Sequence, residues 1–132
     1  MKYEEISEKI IKAFYSVYNT LGYGFMERVY ENALMIEFRK VGLLYENQVP
    51  IKVLYEGDVV GDYIADFVVE GKIIVEIKAI IEFSGKEENQ LLNYLTATDK
   101  EVGLLLNFGE KAQVKRKIYD NGLKKYLEKK GN

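Results

Sequence analysis

The segment Asp62-Tyr-Ile-Ala-Asp66-Phe-Val-Val69, followed after Glu70-Gly71 by Lys72-Ile-Ile-Val-Glu76-Ile-Lys78-Ala79, decides how this chain folds. Val, Ile, Phe and Tyr dominate both halves, so each reads as a strand, and the glycine between them supports a turn. Asp66, Glu76 and Lys78 nevertheless interrupt the apolar runs. Buried without partners, such charges cost on the order of several kcal/mol each, so a role is expected for them. Glu76 and Lys78 are two apart and project from one face of their strand.

Register decides whether Asp66 joins them. A two-residue Glu70-Gly71 loop would set Asp66 opposite Val75 and place Glu76 on the wrong face. The expectation is therefore a three-residue connection, Glu70-Gly71-Lys72, pairing Val69 with Ile73 and Asp66 with Glu76, or a bulge that restores the same phase.

Working outward, Ile6, Ile10, Ala13, Phe14, Val17, Tyr18 and Leu21 recur at helical spacing and stop at Gly22-Tyr-Gly24. A second helical pattern runs from Met26 through Val29, Tyr30, Ala33, Leu34 and Phe38 to Val41-Gly42, with the glycine as its C-cap. From Leu44 the period changes to two. Leu44–Val49 and Ile51–Tyr55 flank Pro50, which makes this first strand an edge or breaks it there, and Glu56-Gly57-Asp58 turns into the Val59–Val69 strand. Beyond Ala79, Ser84 is placed to start a helix over Glu87–Ala97. Val102–Phe108 reads as a buried strand and Val114–Tyr119 as a final one. Leu123, Tyr126 and Leu127 support either a short terminal helix or a frayed end. The order predicts an α/β sandwich, a central mixed sheet flanked by helices.

At 132 residues with 48% hydrophobic content, residues 1–132 are expected to form a single domain that removes roughly two-thirds of its unfolded surface from water. No apolar run approaches the length of a membrane span and the N-terminus lacks the order of a signal peptide, so a soluble, cytoplasmic protein with no membrane partner is expected. Cysteine and histidine are both absent, which excludes thiol nucleophiles, disulfides, imidazole bases and Cys- or His-based metal sites. Acid–base chemistry falls to carboxylates, Lys and Tyr.

Charge is unevenly spread. Residues 111–132 carry eight Lys/Arg against two acids, while residues 1–110 carry eleven against nineteen. The basic C-terminal tail, at about 120–132, suits phosphate contacts or a solvated end equally well, and Leu123–Asn132 is expected to be mobile in the free protein. The acidic body argues against a generic nucleic-acid coat but not against a cation site. The eleven tyrosines are scattered from Tyr3 to Tyr126, a spread that suits amphipathic packing better than a base-stacking row.

Taken singly, Glu-x-Lys on a strand and Gln-x-x-x-Tyr on a helix are ordinary. In order they are not: Gly24-Phe-Met-Glu27-Arg-Val-Tyr30, then Asp66, then Glu76-Ile77-Lys78, then Gln90-Leu-Leu-Asn-Tyr94. Over roughly residues 5–119 this series resembles the GxxExxY family of the PD-(D/E)XK nuclease-like superfamily, in its RecB-like branch. Ala65 stands where the motif's name has proline, a position of backbone geometry rather than chemistry. The resemblance implies a restriction-endonuclease-like fold and a deoxyribonuclease site in which Glu27, Asp66, Glu76, Lys78, Gln90 and Tyr94 are the catalytic set. It further implies Mg2+, with Mn2+ as a substitute, held by Asp66, Glu76, the Ile77 carbonyl and Glu27.

The residue types agree with that chemistry. Magnesium takes hard oxygen ligands and keeps several waters, so two carboxylates and a carbonyl suffice on the protein side. A lysine beside the ion suits charge growing on a phosphoryl group, and Gln90 and Tyr94, four apart, share a helix face from which to bond a phosphate, a water or Lys78. These residues argue phosphodiester hydrolysis; DNA as the partner comes from the resemblance. The alternative is a non-catalytic nucleic-acid-binding or partner-binding module on the same fold, and either reading allows a homo-oligomer or a subunit of a larger complex.

Overall fold

A computed structural model describes residues 2–130. Two helices, α1 (Glu4–Leu21) and α2 (Glu27–Lys40), precede a meander of β1 (Tyr45–Tyr55), β2 (Asp58–Val69) and β3 (Ile73–Lys78). Helix α3 (Lys86–Ala97) crosses over to β4 (Val102–Phe108), β5 (Ala112–Ile118) returns, and a 3-10 turn at Asn121–Leu123 leads into α4 (Lys125–Lys130). The five strands lie in sequence order, antiparallel except for the parallel β3–β4 pair. That parallel step needs a crossover, which α3 provides.

The apolar stripe of α1, with Ile10, Phe14 and Val17, and that of α2, with Leu34 and Phe38, close over one sheet face carrying Phe67, Val75, Ile77 and Leu104. Helix α3 covers the opposite face, where Leu91, Tyr94 and Leu95 meet Ile74 and Leu105. Covered on both sides, β4 is buried along its whole length, and β3 is buried except at its terminal Lys78. This explains their almost unbroken apolar sequence. The expected mixed-sheet α/β architecture is what forms.

The β2–β3 connection has the expected odd length. Val69 pairs with Ile73, Val68 with Ile74 and Phe67 with Val75, leaving Glu70-Gly71-Lys72 as the loop. Glu70 (φ 54°) and Gly71 (φ 63°) are both left-handed, and the Lys72 N–H closes the turn on the Val69 carbonyl at 3.0 Å.

Of the two alternatives at Pro50, β1 takes the first: it is an edge strand that runs on through Pro50, which pairs with Ile64, and its irregularities lie at Gln48, in a left-handed conformation (φ 56°), and between Val53 and Leu54. Two local expectations change. Ser84 does not cap α3: Gly85 holds the N-cap position, and the Glu87 carboxylate instead accepts from the Ser84 N–H at 2.9 Å. The tail is not a uniform row of solvated lysines. Lys124 is 1% exposed, its ammonium donating to the carbonyls of Thr98 at 3.0 Å and Lys100 at 2.7 Å, so it clamps the end of α3 rather than reaching for solvent.

Candidate active site

The site forms where β2 and β3 part. Beyond the Phe67–Val75 pair the ladder between them stops, although their register would next oppose Asp66 to Glu76. Each carboxylate fills the other strand's vacancy: the Asp66 N–H donates to Glu76 Oε2 at 2.7 Å, and the Ile77 N–H donates to Asp66 Oδ2 at 2.8 Å. Amides that lose their strand partner are thus satisfied by the two acids. Because the N–H and C=O of a strand residue face the same neighbour, the Ile77 carbonyl points to the Asp66 side as well.

A change of phase brings Asp66 to this gap. Gln48, opposite it on β1, drops out of the ladder in its left-handed conformation. Below the break Phe67 belongs to the α1/α2 core, whereas above it Ala65, Val49 and Ile51 belong to the α3 core. The strict two-residue alternation assumed from sequence therefore fails at Asp66, even though the register holds.

What enforces the break is a residue that sequence reasoning missed. Glu31, buried on α2 one turn beyond Glu27, accepts from Asn47 Nδ2 at 2.6 Å, Gln48 Nε2 at 2.5 Å and Arg28 Nη1 at 3.2 Å. The Asn47 amide also donates to the Asp66 carbonyl at 2.9 Å. A non-glycine residue in the left-handed region costs about 1 to 2 kcal/mol, and two charge-assisted hydrogen bonds of roughly 1.5 to 3 kcal/mol each outweigh it. The available signal was a glutamate four residues after Glu27 together with Asn47-Gln48 in an otherwise strand-like run.

The other expected residues gather around the pair. Lys78 ends β3 with its ammonium donating to Gln90 Oε1 on α3 at 2.9 Å. Tyr94, one turn on, is buried with its ring 5.6 Å from that of Tyr63. Glu27, the first residue of α2, feels the charges of Lys78 and Asp66 and the Ala79 amide. Tyr30 of the same motif is structural: its hydroxyl donates to the Gly22 carbonyl at 2.7 Å and accepts from the Phe25 N–H at 3.2 Å, and its ring stacks on Phe108 at 4.2 Å. By closing the α1–α2 connection it sets where Glu27 begins its helix.

Crowded acids raise one another's proton affinity. Burial, then the Asp66 charge, pushes the Glu76 carboxyl up to about 8. Burial also raises Asp66 and Glu27, with Lys78 opposing in both cases. Tyr94 is pushed up to about 12 by burial and then by the charges of Glu76 and Asp66, so its phenol stays protonated as a hydrogen-bond donor. A concentration of negative potential this strong calls for protons or a cation.

The donor set fits a hard divalent cation: Asp66 and Glu76 offer oxygen ligands, and the Ile77 carbonyl faces the same gap. Among the described residues no group of three or more Asp, Glu, His or Cys side chains converges at metal-ligand geometry.

A search of curated proteins finds no match. Among solved structures, the crystal structure of SSO0001 superposes with a TM-score of 0.54 at 18% identity, over 70% of this chain and 50% of that one, which is a likeness of fold. This chain thus aligns with half the length of that protein. The model of the PD-(D/E)XK nuclease superfamily matches residues 4–119, a span that runs from α1 through β5 and includes Asp66, Glu76 and Lys78. With the namesake acids and lysine gathered where β2 and β3 diverge, the chain belongs to the PD-(D/E)XK nuclease superfamily.

Proposed function

We propose that this protein is a magnesium-dependent deoxyribonuclease of the GxxExxY family, in the RecB-like branch, hydrolysing phosphodiester bonds of DNA. The observation that carries the reading is the Asp66–Glu76 pair, a half-buried and a buried carboxyl whose proton affinity is raised and which sit beside a lysine held by Gln90. A bound divalent cation supplies Lewis acidity at the phosphoryl group and a more acidic water. Asp66, Glu76 and the Ile77 carbonyl hold that cation, and Glu27 orients water at its edge.

Lys78 spends one N–H on Gln90 and keeps two others for the attacking water and a phosphate oxygen, so its charge faces the developing negative charge. The neutral Tyr94 phenol donates without competing as a base. The reading is tested by incubating the protein with labelled single-stranded, duplex and branched DNA, and with RNA, in magnesium, manganese or chelator. Cleavage is expected with either metal on DNA, and none with chelator.

A second reading has one observation in its favour. Because both carboxylates already bond backbone amides, they have a structural use without any metal, as in a non-catalytic binding module of the same fold. DNA binding without turnover in magnesium or manganese would select it.

A further inference from the structure

A cleft of about 260 Å3, lined mainly by apolar side chains and exposed backbone, opens where the α1–α2 connection meets the exit of β3, walled by Tyr23 and Phe25 on one side and Ile80 and Ile81 on the other. It adjoins the candidate site along the chain in two places. One residue separates Phe25 from Glu27, and one separates Lys78 from Ile80.

Its side chains face water, while hydrogen bonds fix the backbone at Phe25 and Ile80. Tyr23 is 59% exposed, Phe25 48% and Ile81 83%. Phe25 is anchored by its N–H on the Tyr30 hydroxyl and by an edge-on ring contact at 6.1 Å. On the far wall the fully buried Asn107 side chain takes both polar groups of Ile80, accepting from its N–H at 3.0 Å and donating to its C=O at 2.9 Å. Gly109 makes that approach possible, since a Cβ there would lie 2.0 Å from the Ile80 oxygen. The Tyr18 hydroxyl ties down the carbonyls of Gly109 and Glu110 at 2.9 and 2.8 Å.

A pre-set aromatic wall loses little conformational freedom on binding. Among the residues lining the cleft, Glu110 carries the one charge, so the chemistry rejects a phosphate and favours a flat, uncharged heterocycle. We propose that Tyr23, Phe25 and Ile81 form a subsite for one unstacked nucleobase of the strand whose phosphodiester lies at Asp66 and Glu76; this rests on the nuclease reading above. Stacking accepts any base, so the subsite selects for a single-stranded or frayed nucleotide rather than for a sequence.

The test is the affinity of labelled single-stranded DNA carrying one abasic position walked along its length, with magnesium-dependent cleavage of the same strands followed in parallel. One abasic position near the cleaved bond is expected to weaken binding by about 5- to 150-fold. The double variant Tyr23→Ala, Phe25→Leu is expected to bind intact and abasic strands alike. Ile81→Ser serves the same comparison should the double variant fail to fold. Magnesium-dependent cleavage with no effect of any abasic position, or a variant that keeps the preference, overturns the subsite and leaves the nuclease reading standing. Absence of both binding and cleavage overturns the two together. A double variant with unchanged DNA affinity but altered self-association in sedimentation overturns the subsite and assigns the patch to a protein contact.

Discussion

Asp66 and Glu76 satisfy each other's strands: the Asp66 N–H bonds Glu76 Oε2, and Asp66 Oδ2 in turn accepts from the Ile77 N–H next to Glu76. The same two residues thus end the β2–β3 ladder and form the acidic centre. With Glu76 4% exposed, its charge has little water to lean on.

The first prediction is a pH dependence of metal-free stability. Unfolded, Glu76 titrates at its ordinary value of 4.5; folded, it is held up to about 8. The native state then binds more protons at Glu76 than the unfolded state between those values, so Glu76's contribution is full below pH 4.5 and is lost as pH rises toward 8, by on the order of a few kcal/mol. Glu76→Gln, which keeps an acceptor for the Asp66 N–H, is expected to be more stable than the parent at pH 8 in chelator and to lose cleavage. Urea unfolding at pH 5 and 8 with and without magnesium checks this; a parent that gains stability on going to pH 8 without metal refutes the assignment.

Lys78 and Gln90 are expected to act as a unit. Lys78→Ala should lower the cleavage rate at saturating DNA by about 10²- to 10³-fold, the range for removing one group that stabilises transition-state charge. Gln90→Ala leaves the ammonium in place but unaimed, and a smaller loss is expected. In the double variant the effects should fall well short of multiplying, because each change removes the same positioned charge. Single-turnover rates decide, and fully multiplicative losses would show the 2.9 Å contact to be incidental.

Glu31 is expected to matter through Asp66. Removing its carboxylate in Glu31→Ala takes the acceptor from the half-buried Asn47 amide and the exposed Gln48 amide and frees the left-handed Gln48, at a cost of about 1 to 3 kcal/mol. Gln48→Gly relaxes the backbone as it gives up one hydrogen bond, so a change within about 1 kcal/mol is expected. Denaturant midpoints for the two variants test the contrast.

Much of this arrangement was legible, and the exceptions have physical causes. The register of β2 on β3 followed from parity, because one residue more or less in the loop moves every side chain to the other face. Gly24, Tyr30 and the helical spacing of Gln90 and Tyr94 were likewise local matters. Hidden from view was anything depending on contacts distant in sequence: Glu31 reaches sixteen and seventeen residues to Asn47 and Gln48, and the phase change it enforces has no signature in a run that alternates normally. Pro50 marks β1 as the edge strand it is, whereas the irregularity two residues earlier falls on an ordinary glutamine that carries no such signal.

The basic C-terminus supplies the last prediction, because the structure divides its cations by task. Lys117 is paired with Glu88 at 2.7 Å, Arg116 donates to the Lys2 carbonyl, and Lys124 is buried on Thr98 and Lys100. Lys125 begins α4 exposed, while the side chains of Lys129 and Lys130 lie outside the described residues. Deleting Leu123–Asn132 would therefore confound two effects, removal of the Lys124 clamp and removal of any cation that neutralises a phosphate. Separate variants resolve them. Lys124→Met should cost about 1 to 3 kcal/mol, the penalty for stranding buried carbonyls, and leave the salt dependence of DNA binding unchanged. Lys125→Ala, at an exposed position, should leave stability within about 0.5 kcal/mol, and the triple variant Lys125→Ala, Lys129→Ala, Lys130→Ala should flatten the slope of log affinity against log salt by about 0.7 to 0.9 for each phosphate no longer neutralised. DNA titrations at several salt concentrations, beside urea unfolding, give both readouts. An unchanged slope in the triple variant would limit the end of the chain to closing the sheet edge behind α3.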